Sequence, residues 1–148
     1  MLFRSPIALL ASPPGYAQVP DGTTTLTSGH RFGELVSRLE TSAGQHKMAV
    51  VASASASKGA AGRGVTIRGN AVIMVFRNDY AVRMLEASVP VGIEAPLRFY
   101  VTEGADGTAS LTWRAPSATF AAYKNAKIDE LARELDPVFD AIARDAVR

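Results

Sequence analysis

The chain predicts an α+β domain: a single mixed β-sheet of about five or six strands, with an amphipathic first helix and a long C-terminal helix packed on it. Three observations carry this. Phe32, Leu35, Val36, Leu39 and Ala43 recur at the spacing of one helical face. From Ile128, the positions Leu131, Ala132, Leu135, Val138, Phe139, Ile142 and Ala143 hold the same phase towards the end of the chain. Between these segments lie short β-branched and apolar runs punctuated by Gly, Pro and an Asp-Gly pair.

The elements follow in order. Thr23 to Ser28 is a β-branched run and reads as a strand. The first helix spans roughly His30 to Gln45, with Glu34 and Arg38 four residues apart on one face and Gly44 weakening its end. Lys47 to Ala54 reads as a second strand. Ser53 to Gly64 is small, polar and Gly-rich, and is expected to be a mobile loop. Val65 to Arg68 and Ala71 to Phe76 read as two strands joined at Arg68-Gly69-Asn70, the second apolar throughout as a strand buried on both faces would be. Asp79 to Ser88 is a short helix stopped before Pro90. Pro96 to Glu103 and Thr108 to Arg114 form a hairpin around Gly104-Ala-Asp106-Gly107. A short helix follows Pro116, and Pro137 is expected to kink the last helix rather than stop it.

Composition narrows the class. At 148 residues, 47% hydrophobic and 20% charged, the chain is globular and about one domain long. A balance of 16 Lys+Arg against 14 Asp+Glu argues against a nucleic-acid partner, which calls for a concentrated basic excess. No apolar run approaches the roughly 20 residues that span a bilayer. Cys is absent, which excludes disulfides, thiolate nucleophiles and Cys-ligated metal.

Residues 1–20 resemble a secretory signal. Arg4 supplies the positive charge, Ile7 to Ala11 the apolar stretch, and Gly15-Tyr16-Ala17 a small-x-small cleavage site. The expectation is export to the periplasm with cleavage after Ala17; the alternative is a disordered tail on a cytoplasmic protein. Residues 21–148 form a single α+β domain.

The residues that could carry chemistry are few. His30 and His46 bracket the first helix, too far apart to share a metal on one face, and no metal site is assigned. Ser53, Ser55 and Ser57 alternate with Ala in low-complexity fashion, outside any nucleophile motif, and no catalytic residue is assigned. Gly59, Gly62 and Gly64 match neither phosphate-loop spacing, and they precede a strand rather than a helix. Lys58, Arg63, Arg68, Arg77 and Arg83 face Asp79 alone across their stretch, so Arg68 and Arg77 are candidates for holding a carboxylate or phosphate. The acids of the last helix, from Asp129 to Asp140, read as its solvent face. No cofactor is indicated.

In their order along the chain, several pieces resemble a bacterial family, the domain of unknown function 302. They are Ser28-Gly-His30-Arg-Phe32 leading into Val36-Ser-Arg38-Leu39-Glu40, Gly64-Val-Thr-Ile-Arg68, Phe76-Arg-Asn78, Val91-Gly92-Ile-Glu-Ala-Pro96-Leu97, and Gly107 leading to Trp113-Arg-Ala-Pro116. The resemblance covers nearly everything after residue 21. It implies a small α+β domain, often exported and often a homodimer, with no settled activity. Where the family tends to carry Asp-His after its second strand, this chain reads Ser55-Ala56; where it favours Phe-Gly-Asn-Pro, this chain reads Phe76-Arg77-Asn78-Asp79. Asn78 is the position of that motif retained with hydrogen-bonding capacity towards a ligand.

The reading that results is an exported, non-catalytic, dimeric domain that binds a small molecule or a protein through Asn78, Arg68 and Arg77. The alternative is an enzyme using Arg and Asn groups to bind an anionic substrate.

Overall fold

In the computed structural model, residues 18–148 are described; the expected export signal lies outside them. The elements are β1 (Thr23–Arg31), α1 (Phe32–Gln45), β2 (Ala49–Ala54), α2 (Ala56–Ala61), β3 (Asn70–Phe76), α3 (Asn78–Ala87), a 3-10 segment (Val89–Glu94), β4 (Leu97–Glu103), β5 (Thr108–Arg114), α4 (Pro116–Phe120), a further 3-10 turn (Ala121–Tyr123) and α5 (Ala126–Val147). The strands form one five-stranded sheet in the order β1-β5-β4-β3-β2, with all four pairings antiparallel where a mixed sheet was expected.

Period-two alternation decides which face is covered. Ala71, Ile73 and Val75 of β3, Phe99 and Val101 of β4, and Ala109, Leu111 and Trp113 of β5 are buried under the helices. α1 contributes Leu35, Leu39 and Ala43, and α5 contributes eight buried residues from Ile128 to Ala146. Phe99 stacks on Phe139 of α5 with ring centroids 4.9 Å apart. Each large side chain so buried stabilises the fold by about 1.5–3 kcal/mol relative to exposure. Ser42 is buried between the helices, and its hydroxyl donates to the Ile142 carbonyl at 2.9 Å.

Three local expectations need correcting. β3 is not buried on both faces: Val72, Met74 and Phe76 are only half-buried, because the helices cover one face alone. The Ser53–Gly64 stretch is not a loop throughout but contains α2, whose N-terminus Ser55 caps by accepting from the Lys58 N–H at 3.1 Å. The same hydroxyl donates to the Asn70 carbonyl at 2.7 Å, tying the helix to β3. Val65 to Arg68 forms no strand. The Val65 N–H instead donates to the Ala60 carbonyl at the end of α2, and β3 takes β2 and β4 as neighbours. Arg68-Gly69-Asn70 is therefore the entry to β3 rather than a hairpin turn. Gly69 is required there because a Cβ would run into the ring of Phe32. The last helix continues through Pro137, which sits on its exposed side, where water can satisfy the carbonyl that loses its donor.

Candidate functional site

The helices leave the opposite face of the sheet open. Carrying the register across it places Thr23, Thr25 and Thr27 of β1 beside Arg114, Thr112 and Ser110 of β5. Tyr100 and Thr102 of β4 pair with Thr112 and Ser110 in turn. A groove of about 300 Å³ lies on this face, walled by Thr23, Glu94, Arg98, Tyr100, Thr112, Arg114 and their neighbours. That is at the lower end of the volume of small-molecule sites.

Two arginines line the groove. Phe99 pairs with Trp113, so the register carried one residue further sets Arg98 opposite Arg114. Like charges directly across a strand pair repel and destabilise. Among the described residues neither arginine forms an ion pair. Arg114 is held in place by backbone acceptors alone: its Nε donates to the Asp21 carbonyl and its Nη2 to the Ala118 carbonyl, both at 3.2 Å. The carboxylate on the groove wall, Glu94, accepts from the Tyr123 hydroxyl at 2.8 Å, and that bond raises the Tyr123 phenol above its ordinary pKa. Thr112 shares a hydrogen bond with Thr25 at 2.8 Å, and Tyr100 stands 41% exposed beside it. The groove thus gathers two arginines, a phenol and threonine hydroxyls, donors suited to a carboxylate or phosphate, with the Glu94 carboxylate on its wall.

Other depressions lack this feature. One between α1 and α5 holds about 340 Å³, but its arginine, Arg38, donates to the Ala146 carbonyl. Another beside β1 holds about 450 Å³, and its Arg144 and Arg148 pair with Asp140 and Asp145. An apolar cavity beneath α3, lined by Met48, Val75, Phe76, Met84, Leu131 and Leu135 among others, has only about 40 Å³. It could admit no more than a few atoms.

The three residues singled out from the sequence are not brought together. Arg68 precedes β3 and Asn78 follows it, so the whole seven-residue strand separates them, more than 20 Å at roughly 3.3 Å per residue. Arg68 and Asn78 are both exposed. Arg77 adjoins Asn78 but is engaged elsewhere. Its guanidinium makes two bonds to Asp79, at 2.7 and 2.8 Å, and lies 4.4 Å from the centre of the Tyr80 ring. The hydrogen bond from Arg77 lowers the Asp79 carboxyl to about 2. A lowered carboxylate stabilises the fold above its unfolded pKa, about 4, and that contribution is lost as pH falls through about 2. Carbon-detected NMR titration of the Asp79 carboxyl should give a midpoint near 2, and Arg77→Gln should return it to the ordinary aspartate range.

The histidines each meet one carboxylate, His30 Nδ1 on Glu34 and His46 Nε2 on Asp145, both at 2.8 Å. His46, in the turn that closes α1, thus clamps the ends of α1 and α5 together. Its hydrogen bond holds the Asp145 carboxyl below the usual range. Ser55 and Ser57 serve α2 and β3 through backbone bonds. Among the described residues no three His, Asp or Glu side chains group as metal ligands.

Arg98, Tyr100 and Arg114 escaped the sequence reading, although their signal was present. The hairpin Pro96 to Arg114 was legible, and along it Phe99 and Val101 alternate with Arg98 and Tyr100, while Leu111 and Trp113 alternate with Thr112 and Arg114. Setting the two outward-facing sets in register across the Asp106-Gly107 turn, where Gly107 adopts φ +81°, yields the cluster.

A search of curated proteins finds no match to this chain. The fold is shared with a solved structure described as the uncharacterized conserved protein DUF302 from Bacillus stearothermophilus. The two are 20% identical with a TM-score of 0.77, the match covering 86% of this chain and 99% of that one. The family model for the domain of unknown function DUF302 matches residues 24–145. With the fold and its hairpin register on the same segment, the chain belongs to the DUF302 family.

Proposed function

We propose that the protein is a non-catalytic binding domain, exported to the periplasm and working as a homodimer, whose ligand is a small molecule bearing a carboxylate or phosphate. The observation that carries the ligand class is that Arg98 and Arg114 line one groove at facing strand positions, with no ion-pair partner among the described residues. A bound anion would turn the repulsion between the two cations into a pair of charge-assisted hydrogen bonds. Tyr100 adds an aromatic wall with a polar tip, suited to the body of a small organic acid. Export is supported by the Arg4, Ile7–Ala11 and Gly15-Tyr16-Ala17 pattern.

Fractionation of a bacterium expressing the full chain, with native mass spectrometry of each fraction, tests the reading as a whole. The expected species is periplasmic, shortened at Ala17, two chains in mass and carrying additional anionic small-molecule mass. An uncut cytoplasmic monomer without added mass would contradict it.

A further inference from the structure

Several arginines on this surface are neutralised by a nearby carboxylate. Arg77 pairs with Asp79, Arg83 with Glu134, Arg144 with Asp140 and Arg148 with Asp145, all between 2.7 and 3.0 Å. The groove on the open sheet face departs from this. Arg98, Arg114 and Glu94 all wall it, yet among the described residues Glu94 forms an ion pair with neither arginine. Separate tethers hold the opposite charges. Arg114 is tied by its two bonds to the Asp21 and Ala118 carbonyls. Glu94 is tied through Oε1, which accepts from the Tyr123 hydroxyl in the 3-10 turn after α4. Its second oxygen, Oε2, makes no hydrogen bond among the described residues. Leu97 and Tyr100 also line the groove and give it apolar surface.

We propose that the ligand of this groove is a zwitterion, its anionic end on Arg98 and Arg114 and a cationic amine on the Glu94 carboxylate. This rests on the anion site proposed above and narrows what that site takes. A carboxylate on the wall of an anion site works against any ligand that is an anion alone, because like charges repel. An ammonium group on the same ligand reverses the sign of that contribution and supplies donors for the unbonded Oε2. The preference therefore has an attractive and a repulsive part, which is how a site separates two ligands of similar size. Volume sets the upper limit. About 300 Å³ lies at the lower end for small-molecule sites and suits a short amino acid or an aminoalkyl phosphate rather than a peptide. The methylenes of such a ligand would lie against Leu97 and the Tyr100 ring.

The test is calorimetric titration of the full chain with matched pairs: β-alanine against propanoate, γ-aminobutyrate against butanoate, and phosphoethanolamine against ethyl phosphate. The amine should tighten binding by about tenfold or more in at least one pair. Which pair gains tells a carboxylate ligand from a phosphate one. Glu94→Gln removes the charge but keeps an oxygen to accept from Tyr123, so the variant should melt close to the wild type. In it the gain from the amine should vanish, while the amine-free acids bind as well as before or better. On the wild-type chain, the Glu94 backbone amide should shift with the amine-bearing member of the pair and not with its partner. Equal affinities within every pair, or a gain that survives Glu94→Gln, would overturn the zwitterion. The anion site would still stand if the amine-free compounds saturate and lose affinity in Arg98→Ala. Saturation by none of the compounds would overturn both.

Discussion

Arg98→Ala is expected to weaken the binding of inorganic phosphate or acetate by about tenfold or more, without loss of stability. Charge-assisted hydrogen bonds contribute about 1.5–3 kcal/mol each, and about 1.4 kcal/mol is a factor of ten in affinity. Two such bonds would bring a bare anion to about millimolar affinity, and removing one would take most of that away. Arg98 is the informative position because its side chain makes no hydrogen bond within the described structure, whereas Arg114 also ties down the Asp21 and Ala118 carbonyls. Removing Arg98 takes away one of two like charges at facing strand positions, so the free protein should melt at the same temperature or slightly higher. Arg114→Ala should lose both binding and some stability. Arg98→Lys should recover part of the affinity, as it restores the charge but not the planar fork. Calorimetric titration beside thermal melting separates these outcomes. Unchanged affinity in Arg98→Ala would remove the residue from the site.

The largest effect on stability is expected at Phe139. Its ring is fully buried and stacked on Phe99, which in turn lies 6.3 Å from Trp113. Phe139→Ala removes that ring from the junction of α5 and the sheet and leaves a cavity. Such changes cost about 3–5 kcal/mol, a large share of the roughly 5–15 kcal/mol that holds a domain together. The denaturant midpoint should fall steeply with little change in slope. Phe139→Leu, which keeps much of the volume, should cost clearly less. Equal losses in the two variants would mean that packing at this junction is not what secures α5.

How far the molecule can be read from its residues depends on the range of the interactions involved. α1 and α5 were legible because their apolar phase is local and unbroken, and the β4–β5 hairpin because Asp106-Gly107 announces its turn. The Val65–Arg68 stretch misled because its β-branched residues satisfy strand preference, yet the Val65 N–H closes α2 and Gly69 must sit against Phe32, far away in sequence. α2 was missed because Ser55-Ala-Ser-Lys looks like filler, although Ser55 in a capping position before a run of small residues is a helix start. The candidate site was harder still. Arg68, Arg77 and Asn78 are close in sequence but are drawn apart by the length of β3, or, for Arg77, neutralised by Asp79. Arg98 and Arg114 are sixteen positions apart and meet only through the hairpin register. Charge counted along the chain points to the first group; charge counted across the sheet points to the second.

Mapping the backbone amide shifts of the full chain during addition of inorganic phosphate, and separately of acetate, tests the central claim most directly. Saturable shifts gathered on Arg98, Tyr100, Thr112 and Arg114 are the predicted result. Shifts confined to Lys58, Arg63 and Arg68, or none that saturate, would contradict it.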